Sequence, residues 1–164
     1  MFNFLKKDKT NKRIYLDYAA ATPTRKEVVT AMEPYFGDVF GNAGAVHKEG
    51  VAASRAVEDS RAQIAKLLGI RKDDITFTSG GTESNNLAIY GTLRALNSAG
   101  KSFSDIEIIS TKVEHPSTLR ALEHMSEIGV TVLYVDVNGE GLIEEKKLKE
   151  LLSENTALVT FAYA

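Results

Sequence analysis

Four short, β-branched apolar runs separated by helical stretches constrain this chain more than any other feature of its sequence. ITFT (75–78), IEIIST (106–111), VTVLYVDV (130–137) and ALVTFAYA (157–164) are mostly apolar on both alternating sets of positions. Strands of that pattern are buried on both faces, as in parallel sheets covered by helices. Helical periodicity fills the intervals, at about 47–68, 82–98, 116–128 and 144–153. In the first, Val57, Ile64 and Leu68 recur with helical spacing, and Gly69 follows as a C-terminal cap. In the third, Pro116 occupies the first helical position, ahead of a stripe of Leu119, Leu122 and Met125. The fourth turns Leu148, Leu151 and Leu152 inward. This alternation predicts right-handed βαβ units and an α/β fold built as a three-layer, mainly parallel sheet.

The first third reads differently. IYLDYA (14–19) is predicted as a short strand, KEVVTAMEPYF (26–36) as one helix, and FGNAGAVH (40–47) as a glycine-containing loop into the long helix. The opening MFNFLKKDKTNKR is basic, and its apolar run is too short for a secretory signal. Residues 1–12 are therefore read as a flexible basic tail. No run approaches the roughly 18 apolar residues of a membrane span. The expectation is a cytoplasmic protein with no membrane partner. Of the 164 residues, 43% are hydrophobic and 26% charged, and the formal net charge is -2. That balance lacks the basic excess of a nucleic-acid binder. Cysteine is absent, which excludes disulfides, cysteine-ligated metals and a thiol nucleophile within these residues. No metal site is expected.

Three stretches could carry chemistry. In ITFTSGGTESNN (75–86) a predicted strand runs through Ser79, Gly80, Gly81 and Thr82 straight into a helix. Two glycines permit positive φ and close approach of a ligand. The free amides of the new helix, at its positive dipole end, suit a phosphate, and Thr82 offers a hydroxyl. Glu83 complements the helix dipole rather than touching an anion. A tight strand–helix turn with an ordinary cap explains the same residues. The stretch is neither a Walker A loop nor a GxGxxG fingerprint.

In IISTKVEHPSTLR (108–120), Glu114 and His115 fall between a strand end and the proline-started helix, on the same rim as the glycine turn. An imidazole there could stack on a flat ring or move protons near neutral pH. A surface or capping histidine is the alternative. In FGNAGAVHKEG (40–50), Asn42 and His47 flank a loop that could line a pocket entrance, or simply connect to the long helix with His47 in its first turn. His124, beside Glu123 and Glu127, reads as solvated.

Taken together, IYLDYAAATP (14–23), FGN…H..G (40–50), ITFTSGGTESNNLAI (75–89) and STKVEHPS (110–117) resemble the N-terminal part of cysteine desulfurases. These belong to the class V aminotransferase group of fold-type I pyridoxal-phosphate enzymes. The resemblance implies a truncated form of their major, cofactor-binding domain. Residues 13–46 would pack with the small domain and 47–164 would form part of the large one. It implies pyridoxal 5'-phosphate as cofactor, with Gly81 and Thr82 holding its phosphate. His115 would stack over its ring and assist proton transfer, as the catalytic residue. Ala20, Ala21 and Asn42 would lie near the substrate, L-cysteine or a related amino acid. In the family the cofactor acts as an electron sink, and sulfur passes to an enzyme cysteine as a persulfide, leaving alanine.

The resemblance also implies partners, either a second copy in a homodimer or a complementing C-terminal chain. The family's asparagine beside the cofactor, aspartate on the pyridine nitrogen, cofactor-anchoring lysine and persulfide cysteine would all fall after Ala164. The expectation is a chain inactive alone. Where the family commonly has Pro-Ser-Ser after FGN, this chain has Ala43, Gly44 and Ala45. A looser loop and altered substrate choice are expected there. Two other readings stand beside this one. The first is a non-catalytic truncated paralogue that binds a phosphate-bearing ligand or a full-length partner. The second is a fragment of a selenocysteine lyase or class V aminotransferase.

Overall fold

The computed structural model describes residues 14–163, so the expected tail at 1–12 lies outside the described residues. The chain divides into two compact units between Ile75 and Thr76.

The first unit is helical. Helix α1 covers Lys26–Met32 and passes into a 3-10 turn at Glu33–Phe36. The single helix predicted over 26–36 breaks because Pro34 has no amide to give the carbonyl one turn back. Helix α2, Lys48–Leu68, begins at His47 and ends at Gly69, which takes the left-handed conformation with φ 67°. Its C-terminus closes with the Gly69 and Ile70 amides on the Ala65 and Lys66 carbonyls. The apolar stripe of this helix is exposed among the described residues, with Val57 at 39%, Ile64 at 37% and Leu68 at 64%. Gly50 and Ala65 are the buried positions of α2. A 3-10 turn at Lys72–Asp74 packs on α2, and the Arg61 guanidinium donates to the Ile75 carbonyl.

Two predicted strands are absent. Residues 14–19 form no strand, and at their end the Ala20 amide bonds back to the Asp17 carbonyl in a turn. Residues 75–78 form no strand among the described residues, although Ile75 itself is extended. Apolar, β-branched composition sets the conformation of a strand, but a neighbouring ladder makes it one.

The second unit is the α/β part. Strands β1 (Glu107–Ser110), β2 (Thr131–Tyr134) and β3 (Thr156–Val159) form a parallel sheet in the order β2-β1-β3. Ile108 pairs with Val132 on one side and Leu158 on the other, and the β3 pairing carries an irregularity after Glu107. Burial on both faces is realised in the central strand, where Ile108, Ile109 and Ser110 are fully buried, while β2 and β3 are partly exposed.

Helices α3 (Gly81–Ser98), α4 (Pro116–Glu127) and α5 (Glu145–Leu151) match their expected spans closely. Ile89 and Leu93, one turn apart on α3, meet Ala121, Leu122 and Met125 of α4 over Ile106 and Ile108. This cluster fixes α3 against α4 and the sheet. Among the described residues no helix is long and apolar enough to cross a membrane.

Candidate functional site

The glycine turn is held from behind. The hydroxyls of Thr78 and Ser84 lie 2.7 Å apart and each 3.2 Å from the Gly80 carbonyl, which also accepts the Ser84 amide at 3.1 Å. Gly80 is the N-cap of α3 and offers no side chain to its first turn. Its φ of 161° is ordinary extended backbone, and Gly81 is already helical, so the positive φ expected of the two glycines is not adopted. What both positions provide is space, since a Cβ on either would meet nothing within 4 Å.

The carboxylate of Glu83 turns back onto Ser79, taking its amide and its hydroxyl at 2.6 Å each. These two donors hold its pKa below the usual glutamate range, the hydroxyl contributing most. Glu83 therefore complements the helix start as expected, but through the residue before the cap. It leaves the amides of Gly81, Thr82 and Glu83 with no acceptor among the described residues, as the geometry of a helix start requires of uncapped donors. The Thr82 carbonyl accepts from the Asn86 side chain at 2.7 Å, whereas its hydroxyl bonds to no described residue. An oxyanion fits this cradle of amides, hydroxyl and open space.

His115 is the N-cap of α4. Its Nδ1 accepts the Ser117 amide at 3.1 Å and lies 2.7 Å from the Ser117 hydroxyl. That hydroxyl in turn accepts from the Asn85 side-chain amide at 2.9 Å. Asn85 lies one turn into α3, so this bond ties the start of the helix bearing Gly81 and Thr82 to the start of the helix capped by His115. Capping and exposure of the ring coexist, because only Nδ1 is engaged by the chain. Ser117 and Asn85 escaped the sequence reading. The available signal was a polar residue heading the Asn85–Ile89–Leu93 stripe, and a serine two positions after the histidine.

Glu114, next to His115, is buried, and its Oε1 accepts the Thr111 hydroxyl at 2.8 Å and the Ala162 amide at 2.9 Å. The Ser110 hydroxyl donates to the Thr160 carbonyl at 3.0 Å. The carboxyl ends of β1 and β3 are thus tied together beside the histidine. Lys112 places its ammonium 5.9 Å from the centre of the Tyr134 ring. His124 is paired with Glu127 at 3.3 Å and meets Tyr90 edge-on.

Ala20, Ala21 and Asn42 belong to the first unit and are exposed. The Asn42 side chain accepts the Gly44 amide at 2.9 Å, and its carbonyl the Ala45 amide at 2.9 Å, closing the loop on itself. Two glycines seat this loop on α2. A Cβ at Gly41 would lie 2.1 Å from the Glu49 carbonyl oxygen, and one at Gly50 would lie 2.3 Å from that of Ala45. The loop is therefore pinned at both ends rather than loose. His47 is the N-cap itself, just ahead of the first turn, with Nδ1 3.3 Å from the Gly50 amide and 3.0 Å from the Glu49 carboxylate.

Comparison with known proteins places these features. The family model of the class-V aminotransferases matches residues 14–164. The cysteine desulfurase IscS of Dictyoglomus turgidum is 42% identical over 153 residues, covering 93% of this chain and 38% of its own length. A solved NifS-like protein superposes with a TM-score of 0.83 at 32% identity, over 92% of this chain and 40% of that one. SspA, solved in complex with cysteine, gives 0.79 at 35% identity, over 90% and 41%. The chain spans about two fifths of the length of the relatives it matches. Its parallel α/β unit matches the NifS-like fold.

Proposed function

The chain belongs to the class-V aminotransferase family, and from that premise we propose that it is the N-terminal part of a pyridoxal-phosphate-dependent cysteine desulfurase. The observation that carries this reading is the uncapped start of α3, which fits the cofactor's phosphate, tied through Asn85 and Ser117 to His115. Gly81 and Thr82 hold the phosphate through amides and hydroxyl, and His115 serves the ring. Ala20, Ala21 and Asn42 lie towards the amino-acid substrate, L-cysteine. Bound there, the cofactor supplies an electron sink for the substrate. His115 holds or moves a proton at the imidazole nitrogen its own helix leaves unengaged. The sulfur acceptor is a thiol that these 164 residues do not contain.

In this reading residues 13–46 pack with the small domain and 47–164 form part of the large one. The enzyme is cytoplasmic and works as a homodimer or with a complementing chain. The test is a titration of the labelled chain with pyridoxal 5'-phosphate, followed at its backbone amides. Shifts centred on Gly81, Thr82 and Glu83 are expected, together with no sulfide release from cysteine by this chain alone. Thr82→Val should weaken binding roughly fivefold, the loss of one hydrogen bond. Binding without any response at those three amides would overturn the assignment.

A further inference from the structure

We propose that Ser117 and Asn85 are positioning residues that fix the proton of His115 on Nε2. The inference rests on the cofactor reading for its purpose, but its geometry stands without it. The side-chain amide of Asn85 can only donate through nitrogen, so at 2.9 Å it occupies a lone pair of the Ser117 oxygen. The backbone amide of Ser117 can only donate as well, and it points at His115 Nδ1 from 3.1 Å. Nδ1 is therefore an acceptor and carries no proton. The remaining Ser117 hydroxyl proton has one place to go, the same Nδ1 at 2.7 Å. A directed chain results, from Asn85 to Ser117 to His115, in which each bond polarises the next.

The neutral ring thus presents Nε2–H as its outward donor, and whatever part of a ligand it meets must be an acceptor, such as a phenolate or carboxylate oxygen. Burial reinforces the arrangement. Ser117 is buried and Asn85 half-buried, while the ring they orient is exposed. His124 is built the opposite way. Its Nδ1 lies 3.3 Å from the Glu127 carboxylate, which attracts a proton to the nitrogen it faces, so that ring favours Nδ1–H. His47 stands between the two, because its Nδ1 faces both the Gly50 amide at 3.3 Å and the Glu49 carboxylate at 3.0 Å. His124 is therefore the internal control.

The experiment is nitrogen-15 labelling of the three histidines in the full chain, with long-range proton–nitrogen spectra at mildly alkaline pH. His115 should show a pyridine-type Nδ1 and a protonated Nε2, with His124 reversed. Ser117→Ala should shift the His115 tautomer ratio towards parity by roughly fivefold, and Asn85→Leu should shift it in the same direction. Ser117→Thr, which keeps the hydroxyl, should restore the original pattern, and none of the three should change His47 or His124. A wild-type His115 carrying its proton on Nδ1, or averaging both forms equally, overturns the proposal. So does a ratio unmoved by both Ser117→Ala and Asn85→Leu. If Ser117→Ala fails to fold, the wild-type ratio and Asn85→Leu decide alone. Loss of cofactor binding with the tautomer intact would remove the functional reading and leave this inference standing. Binding with a mixed tautomer would do the reverse.

Discussion

The buried carboxylate of Glu114 accepts the backbone amide of Ala162 at 2.9 Å, joining the loop after β1 to the segment after β3 across 48 residues of chain. The same oxygen takes the Thr111 hydroxyl. Replacing Glu114 with alanine leaves two donors without their acceptor, which costs about 1–3 kcal/mol. Hydrogen exchange at the Ala162 amide should accelerate in Glu114→Ala and change little in Glu114→Gln, whose carbonyl oxygen can still accept. Equal acceleration in both would mean that charge, rather than the hydrogen bond, holds the segment.

The Glu83–Ser79 clamp makes stability depend on acid. The folded carboxyl titrates below its unfolded value because the Ser79 hydroxyl and amide favour the ionised form. Its contribution is complete above the unfolded glutamate value of about 4.3 and disappears as pH falls through the lower, folded value. Denaturant unfolding of wild type and Glu83→Gln should differ at neutral pH and converge in acid. A constant difference across that window would show that the clamp contributes nothing through ionisation.

Gly41 and Gly50 are required by contact rather than by φ. An added Cβ falls within 2.4 Å of carbonyl atoms at each, and backbone cannot yield as a side-chain end can. Gly41→Ala and Gly50→Ala should each destabilise the loop–α2 junction by about 1–3 kcal/mol. Gly81→Ala, where a Cβ meets nothing, should fold normally, which calorimetry on the three variants would establish.

Among the described residues β2 and β3 each have one strand neighbour, and Phe36, Phe40 and Leu67 are 79%, 76% and 85% exposed. Open strand edges and exposed large apolar side chains favour pairing with other chains. The isolated 164-residue chain should therefore self-associate, seen as a concentration-dependent mass in sedimentation. A single monomeric species with a cooperative melt would refute this.

The α/β character, the spans of α2 to α5 and the glycine turn were legible because each rests on local chemistry. Apolar periodicity places the helices, proline opens α4, and Gly69 closes α2 with a left-handed residue. The segments 14–19 and 75–78 misled for a definite reason. Their composition favours extended backbone, but neither segment is assigned to a strand among the described residues, and 14–19 ends in a turn. The exposure of the α2 stripe was not legible, since periodicity shows which face is apolar but not what covers it.

The sequence by itself determined a helix start at Gly80 to Thr82 without a capping side chain, and a histidine at the head of α4, because both depend on residues adjacent in the chain. Tertiary structure alone decided that a donor from α3 occupies the Ser117 hydroxyl oxygen beside that histidine. Asn85 and Ser117 stand 32 positions apart, and only the packing of α3 on α4 over Ile106 and Ile108 brings an amide donor to that hydroxyl. A hydrogen bond needs its partners within about 3 Å, and across that separation no local pattern sets the distance.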